Sequence, residues 1–355
     1  MYEVDFLPVG DGNGDAICVR YGNDQTGYWL HVVDGGFADT SDTIIRHIES
    51  HYGKHYKISH MVLSHADNDH APGLIGVLQR FEIGGCIWMN RPWKYAQQVL
   101  PAYPGYTLER LVKEMRAKHE YLVTIEKIAT DRNIEIRDVF QGADIGQFKV
   151  LAPRQDRYIR SIPNFDKTPE AKRPFVAAAK TFVGEAIEAV AKWANEDWRI
   201  ETLSDDPDPP TSDSNESSVV QLGRFDNGGS ILLTGDVGPV GLNEAADHAQ
   251  SLGLLAPPNL VQVPHHGSRK NVTPTVLNRW LGPIKEKGTR TGTAFVSVGK
   301  TQDHYPRGQV QNAFERRGYP VHATRGGTKH HYRGRKGREG WIDSTPEPWV
   351  SKVEL

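Results

Sequence analysis

Apolar residues recur along this chain in short bursts whose period switches between two and about 3.6, the spacings of strands and helices. The opening stretch "VDFLPVGDGNGDAICVRYGNDQTGYWLHVVDGGF" predicts three short strands joined by Gly/Asn/Asp turns, the third ending at Asp34-Gly35-Gly36. Ile44, Ile45, Ile48 and Tyr52 then recur at helical spacing behind Ser41, a residue type suited to an N-cap. "YKISHMVLS" is apolar and β-branched enough for a buried strand, "PGLIGVLQRF" predicts a helix with Pro72 in its first turn, and "GGCIWMN" a further strand. Leu108, Leu111, Val112, Met115, His119 and Leu122 form one helical stripe through "TLERLVKEMRAKHEYL". More strands are predicted at 148–153, 217–225, 228–237, 259–266 and 293–299. Strands and helices that interleave in this way define an α/β protein.

One stretch breaks the rhythm. Residues 155–213 carry Phe175, Phe182, Val183, Val190 and Trp193 on one side of an amphipathic helix, followed by the Pro/Asp/Ser-rich "SDDPDPPTSDS". This predicts a helical insertion returning through a flexible acidic loop, inside a single domain spanning residues 1–355. A protein partner could dock on that insertion.

Composition narrows the class. With 38% hydrophobic and 24% charged residues, and no apolar run near the roughly 18 residues of a membrane span, the chain has the make-up of a soluble globular protein. The start "MYEVDFLPVG" lacks a secretory pattern, and Cys18 and Cys86 are too far apart for a thiolate zinc motif; a cytoplasmic location is expected. The net charge of −2 argues neither for nor against a nucleic-acid partner, but its distribution is polarised. Residues 196–216 are strongly acidic, whereas 312–338 carry eight Lys/Arg against one acid. Within that run Lys329, Arg333, Arg335, Lys336 and Arg338 interleave with Tyr332 and glycines. Such a strip can follow a phosphodiester backbone, or it can be a solvated tail that balances the acidic loop. His330-His331 has no carboxylate beside it in sequence and is not read as a metal site.

The densest chemistry is "SHADNDHAPGL". His65, Asp67, Asp69 and His70 crowd one loop, where buried carboxylates would repel unless a cation offset them. Three further clusters follow strand-like runs: Asp34-Gly-Gly after "WLHVV", Asp236 in "ILLTGDV", and His265-His266 in "LVQVPHHGS". Acids and imidazoles that recur at strand ends point to a metal site.

These motifs, H-x-D-x-D-H, T-G-D and P-H-H-G-S in that order, resemble the metallo-β-lactamase superfamily. Together with "VGDGNGDAICV", "VVDGG", "NESSVVQL" and "VSVGKTQDHYP" they are most similar to the soluble hydrolase domain of ComEC-type DNA-uptake proteins. The resemblance implies a four-layer αββα sandwich with the helical insertion added, and two divalent metal ions along one edge. It places His65 and Asp67 on the first metal, Asp69 and His70 on the second, and Asp236 between them. His265 is expected to complete the second, which leaves His266 facing the substrate. Where the superfamily usually has a third-motif histidine, this chain has "SNESS", so Asn215 is the nearest match. His119, on its apolar stripe, is expected to be a core residue. An oxygen-rich shell shifts preference from zinc toward manganese or magnesium. Asp34 is expected to order the ligands from behind.

Two such ions would lower the pKa of a bound water toward neutrality, so no side-chain nucleophile is needed. His304 and Lys300 in "SVGKTQDHYP", with Asp69 and His266, are the candidates for transition-state stabilisation or proton transfer. The expected function is phosphodiester cleavage, with DNA as the expected substrate. Hydrolysis of a small ester, lactam or thioester, or a degenerate metal-bearing module that binds a partner, are the alternatives.

Overall fold

A computed structural model describes residues 1–171 and 193–355. Among the described residues sixteen strands and ten α-helices occur; fourteen of the strands fall into two seven-stranded sheets with helices outside, and the other two pair with each other. The first sheet has the order β15-β1-β2-β3-β4-β5-β6, formed by β1 (Tyr2–Phe6), β2 (Ala16–Asn23), β3 (Gly27–Gly35), β4 (Ile58–Val62), β5 (Ile83–Trp88), β6 (Ile136–Arg137) and, from far along the chain, β15 (Lys329–Arg333). The second has the order β14-β13-β12-β11-β10-β8-β7, formed by β7 (Asp144–Ile145), β8 (Phe148–Ala152), β10 (Val220–Arg224), β11 (Ser230–Leu233), β12 (Leu260–Gln262), β13 (Thr293–Val296) and β14 (Val321–Ala323). In each sheet an antiparallel meander runs into a parallel half: β3 to β6 in one, β11 to β14 in the other.

Three apolar clusters correspond to the three interfaces of four layers. Tyr2, Val4, Phe6, Ile17, Val19, Phe148, Ile231 and Phe295 meet between the sheets. The helices α1 (Thr40–His51), α2 (Gly73–Arg80), α4 (Leu108–Lys118) and α5 (Glu120–Asp131) bury Ile44, Ile48, Leu74, Val77, Leu111 and Ile125 on the outer face of the first sheet. The second sheet is covered by α8 (Pro239–Ser251), α9 (Pro274–Leu281) and α10 (Gly308–Arg316) through Leu242, Ala246, Val276, Trp280 and Phe314. Removing each such side chain from water contributes roughly 1.5–3 kcal/mol. The αββα sandwich is therefore the architecture of the chain.

Several elements differ from expectation. The stripe from Leu108 to Leu122 is two helices, because His119 leaves helical geometry (φ −115°, ψ 50°) and gives its Nδ1 to the Met115 carbonyl at 2.8 Å. His119 is thus a core residue beside Trp93, and burial pushes it down to about 4. Short helices α3 (Ala96–Val99), α6 (Gln155–Ser161) and α7 (Asp213–Glu216) fill the connections. Of the apolar positions expected on an inserted helix, Phe175, Phe182, Val183 and Val190 lie outside the described residues. Trp193 opens a short strand, β9 (Trp193–Asn195), which pairs with β16 (Lys352–Glu354).

The start of the acidic run is tied down. Glu196 pairs with Arg316 at 3.1 Å, both side chains fully buried, and Glu201 with Arg317 at 2.7 Å, so part of each opposite charge run is neutralised by the other. The basic segment is likewise ordered, as α10, β14 and β15. Arg335 and Arg338 turn inward to the buried carboxylates of Glu3 and Asp5, and Arg325 pairs with Glu347. Arg335 therefore does not belong to a nucleic-acid strip: two buried acids on β1 require counter-charge, and it supplies part of it. His330 does have carboxylates beside it, with Asp5 Oδ1 2.9 Å from its Nδ1. The strand pairing of β15 with β1 brings them together across the whole length of the chain. Arg20, Arg335 and Arg338 already balance that pocket. Lys329, Arg333 and Lys336 make no ion pair among the described residues.

Buried histidines give the fold an acid sensitivity. His31 on β3 reaches across the sandwich to Gln221 Oε1 at 3.1 Å, and burial, with His60 adding to it, pushes it down to about 3. Its folded value lies below the unfolded value of about 6.5, so its contribution is complete above pH ~6.5 and is lost as the pH falls toward the folded value. Between pH 7 and 4.5 the native protein is expected to lose about 2–3 kcal/mol more than a His31→Gln variant. Urea unfolding of both at the two pH values measures this, and equal losses would refute it.

No helix among the described residues is long and apolar enough to cross a membrane. Cys18 and Cys86 are both buried free thiols.

Candidate metal centre

The parallel strands of both sheets end at one rim, where open α/β architectures place their sites. From the first sheet come Asp34, the last-but-one residue of β3, and the loop His65–His70 after β4. From the second come Asp236 after β11 and His265-His266 after β12. Tight backbone approaches seat these loops. A Cβ on Gly73 would lie 1.9 Å from the Gly35 carbonyl oxygen, and one on Gly14 would lie 2.6 Å from that of Asp69. The glycines of D-G-G and P-G-L are what let α2 start against the end of β3.

Asp236 is the centre. Its Oδ2 lies 3.9 Å from His65 Nε2, 3.4 Å from His70 Nε2, 3.6 Å from His265 Nε2 and 3.8 Å from His266 Nε2. Asp67 Oδ2 stands 3.4 Å from His65 Nε2, and Asp69 Oδ2 stands 3.8 Å from His70 Nε2 and 3.5 Å from His266 Nε2. The far nitrogen of every ring is engaged: His65 Nδ1 with Ser64 Oγ (3.1 Å), His70 Nδ1 with Asp34 Oδ2 (2.9 Å), His265 Nδ1 with Asn271 Oδ1 (2.9 Å), and His266 Nδ1 with the Ser297 carbonyl (2.8 Å). The inward Nε2 atoms of His65, His70 and His266, and Asp236 Oδ1, are buried without a hydrogen-bond partner among the described residues. Buried polar atoms left unpaired cost about 1–3 kcal/mol each, and here they converge. Imidazoles fixed through Nδ1 that present Nε2 inward, with carboxylates between them, fit divalent cations.

Charge tells the same story. Burial works against ionisation of Asp236, yet the facing rings of His265, His70 and His266 hold it well below the usual carboxylate range. Burial also pushes His266 and His70 downward, but Asp236 and its neighbouring carboxylates outweigh it, raising His266 to about 9 and His70 well above its ordinary value. The pocket draws positive charge, which protons or metal ions can supply.

The expected pairing of the consecutive histidines is corrected. One atom each from Asp69, His70, Asp236 and His266 lies within 4.8 Å of the others, so His266, not His265, completes the second group. Both residues have left-handed backbone (φ 47° and 57°), which turns successive rings in different directions, 70° between planes. His266 is therefore buried in the cluster. Asn215 also departs from its expected role. Its Nδ2 lies 3.2 Å from His265 Nδ1, on the side of that ring away from Asp236.

Asp34 lies behind His70 and Ser64. It accepts from His70 Nδ1, from Ser64 N at 2.7 Å and from Ser64 Oγ at 2.6 Å, in a left-handed conformation (φ 57°). His304 and Lys300 lie in the exposed turn after β13 and make no side-chain hydrogen bond or ion pair among the described residues. That turn borders the site, since the Arg307 amide bonds the Gly267 carbonyl and Pro306 packs on Gly267.

Four participants were missed in the sequence. Asp15, fully buried, accepts from Gln262 Nε2 at 2.8 Å and lies 3.9 Å from His70 Nδ1; its signal was the G-N-G-D turn. Asn271 holds both His265 and, at 2.7 Å, the Asp236 carbonyl. Ser64 links Asp34 to two rings. Lys167, from the segment after α6, donates to the Ala66 carbonyl (2.6 Å) and to Asn68 Oδ1 (2.7 Å), bracing the ligand loop. Lys167→Met is expected to weaken metal binding about tenfold while leaving the number of sites unchanged. Titration calorimetry checks this, and unaltered affinity would show the brace to be dispensable.

No family model and no curated protein matches this chain. Solved structures similar to it include a Thermotoga maritima protein assigned to the metallo-β-lactamases, at 9% identity over 71% of this chain and 92% of that one, TM-score 0.36. The metallo-β-lactamase SMB-1 bound to 2-mercaptoethanesulfonate matches at 9% identity over 78% and 86%, TM-score 0.33. MEM-A1, a subclass B3 metallo-β-lactamase from a soil metagenome library, matches at 12% identity over 78% and 85%, TM-score 0.32.

Proposed function

We propose that this chain is a metal-dependent hydrolase that uses two divalent ions to cleave phosphodiester bonds, with DNA as the first substrate to try. The observation that carries the metal chemistry is the ring of four imidazole Nε2 atoms around Asp236 Oδ2, with Asp67 and Asp69 beside them. The motif set's resemblance to the ComEC-type hydrolase domain supports the substrate class. In the basic C-terminal segment Arg316, Arg317, Arg325, Arg335 and Arg338 are in internal ion pairs, which leaves Lys329, Arg333 and Lys336 as the basic residues available to a polyanion.

When bound, the ions supply Lewis acidity and a water of lowered pKa at neutral pH. The residues divide the remaining work. His65, Asp67 and Asp236 present donors on one side, and Asp69, His70, Asp236 and His266 on the other. Asp34 and Ser64 keep the rings of His65 and His70 turned inward, and the Ser297 carbonyl does so for His266. Manganese, zinc or magnesium all suit this mixed nitrogen and oxygen set. His304, exposed in the turn after β13, is the candidate to give a proton to the leaving group.

The test is to incubate purified protein with single- and double-stranded DNA, RNA, bis(p-nitrophenyl) phosphate, a lactam and a carboxyl ester, across manganese, magnesium and zinc, with Asp69→Ala as control. Metal-dependent phosphodiester cleavage lost in the control is expected. Turnover of the lactam or ester alone would remove the phosphodiester assignment and leave a hydrolase. No turnover of any substrate by metal-loaded protein would point to a partner-binding module.

A further inference from the structure

A cavity of about 390 Å³ lies outside the metal cluster, within the roughly 300–1,000 Å³ span of small-molecule sites. Two chain segments form most of its lining, and both run into the candidate metal centre. One lies within 202–209; two residues further on, Thr211 Oγ1 accepts from Asn271 Nδ2 at 3.2 Å and from Asn215 Nδ2 at 3.0 Å. The other is Arg269-Lys270, between His266 and Asn271, and Asn271 Nδ2 also holds the Asp236 carbonyl at 2.7 Å.

The charged groups of the lining do not answer one another. Arg269 and Lys270 bring two cations and Asp206 and Asp208 two carboxylates, yet none of the four makes an ion pair among the described residues, and the Arg269 guanidinium reaches only the Glu354 carbonyl, at 3.4 Å. The buried polar side chain of the lining is Gln309, 4% exposed. Its Nε2 donates to Thr202 Oγ1 at 2.9 Å and to the Thr202 carbonyl at 3.3 Å, which fixes the amide and leaves Oε1 an acceptor with no donor among the described residues. An unanswered acceptor on a buried side chain is costly unless a ligand or water meets it. Leu203, Pro207 and Pro209 add apolar surface beside these groups.

We propose that this cavity binds one nucleotide of the substrate chain, next to the phosphodiester held at the metals. Arg269 and Lys270 receive its phosphate, and Gln309 Oε1 with Asp206 and Asp208 accepts hydrogen bonds from amino groups of its base. This deepens the phosphodiester reading above and rests on it. Both signs of charge then have a use: a bare anion would meet two carboxylates and a bare cation two basic groups, whereas a nucleotide carries an anion at one end and hydrogen-bond donors at the other. Adenine, cytosine and guanine suit such a lining better than thymine, which has no exocyclic amino group.

Kinetics of the metal-loaded protein on short single-stranded oligodeoxyadenylate, oligothymidylate and bis(p-nitrophenyl) phosphate, with calorimetric binding of deoxyadenosine and thymidine monophosphates, test this. The native protein is expected to bind the adenine nucleotide about tenfold more tightly than the thymine one and to show the same preference in KM. Lys270→Ala should raise KM for oligodeoxyadenylate about tenfold, far more than it alters kcat, and reduce the salt dependence of binding by about one counterion. Its effect on the small ester, which has neither a second phosphate nor a base, should be much smaller. Asp206→Ala combined with Asp208→Ala should erase the preference for adenine. An equal rise in KM for oligonucleotide and ester in Lys270→Ala, or equal binding of the two nucleotides by the native protein, would overturn the subsite and leave the phosphodiester reading standing. Selective binding of the adenine nucleotide, weakened in Lys270→Ala, with no phosphodiester turned over would remove that reading and keep the cavity as a nucleotide site. Circular dichroism confirms that each variant is folded, and the aspartate variant decides the matter if Lys270→Ala is not.

Discussion

Asp236→Asn protein is expected to lose at least one metal equivalent and on the order of 10³-fold or more in kcat/KM, the largest effect of any single change in this chain. Asparagine keeps the volume and the bond that the residue-236 amide donates to Ser218 Oγ, so the fold should survive. What it removes is the charge at the oxygen that four Nε2 atoms share. Without it His70 and His266 have less reason to bind protons or metal, since Asp236 is the foremost of the groups that raise both. Metal content and turnover of the hydrolysed substrate, measured on the same preparation, check the two losses together. Native metal content with native turnover would show that the bridging role is wrong.

The second large effect concerns stability. Arg338→Met is expected to destabilise the protein by about 3–5 kcal/mol, because it breaks a buried ion pair from one side only. Arg338 Nη2 lies 2.8 Å from both Glu3 Oε2 and Asp5 Oδ2, and both acids are fully buried. Methionine matches the length but leaves two carboxylates short of charge. Burial opposes ionisation of Asp5, but hydrogen bonds from His330 and His47 hold its carboxyl well below the usual range. That contribution is full above pH ~4 and disappears as the pH falls through the folded value. Lys336→Ala, a few residues away and exposed, should change stability by less than about 0.5 kcal/mol. Denaturant midpoints compare the two, and equal effects would mean that the network is not buried in solution. Neither change should abolish DNA binding if the substrate enters at the metal rim.

Much of the layer arrangement was legible because buried parallel strands announce themselves. "ISHMV", "LVQ" and "TAFV" are apolar runs bounded by polar turns, and the candidate ligands sit just past the first two of them. Long-range neutralisation was not legible. Nothing local in "FERRGYP" reveals that Arg316 and Arg317 face Glu196 and Glu201, since those partners are set by how α10 packs on the second sheet. The same holds for His330, whose carboxylates come from the opposite end of the sequence through β1 and β15. Within the site, the motifs identified which residue types converge but not which of His265 and His266 enters which group. That choice depends on two successive left-handed residues, and backbone of this kind is expected of glycine rather than histidine. The split of the Leu108–Leu122 stripe was hidden for a related reason: His119 fits the spacing of one helix while its imidazole caps the carbonyl of another turn.

The ligand set also has a consequence for assembly. His65 through His70 belong to one half of the sandwich, and Asp236 with His265 and His266 to the other, so the proposed cation pair would draw its ligands from both. Metal uptake should then act as a rivet fastened only after the halves have docked. A chelator would loosen the seam between them first, long before it disturbed the strands within either one.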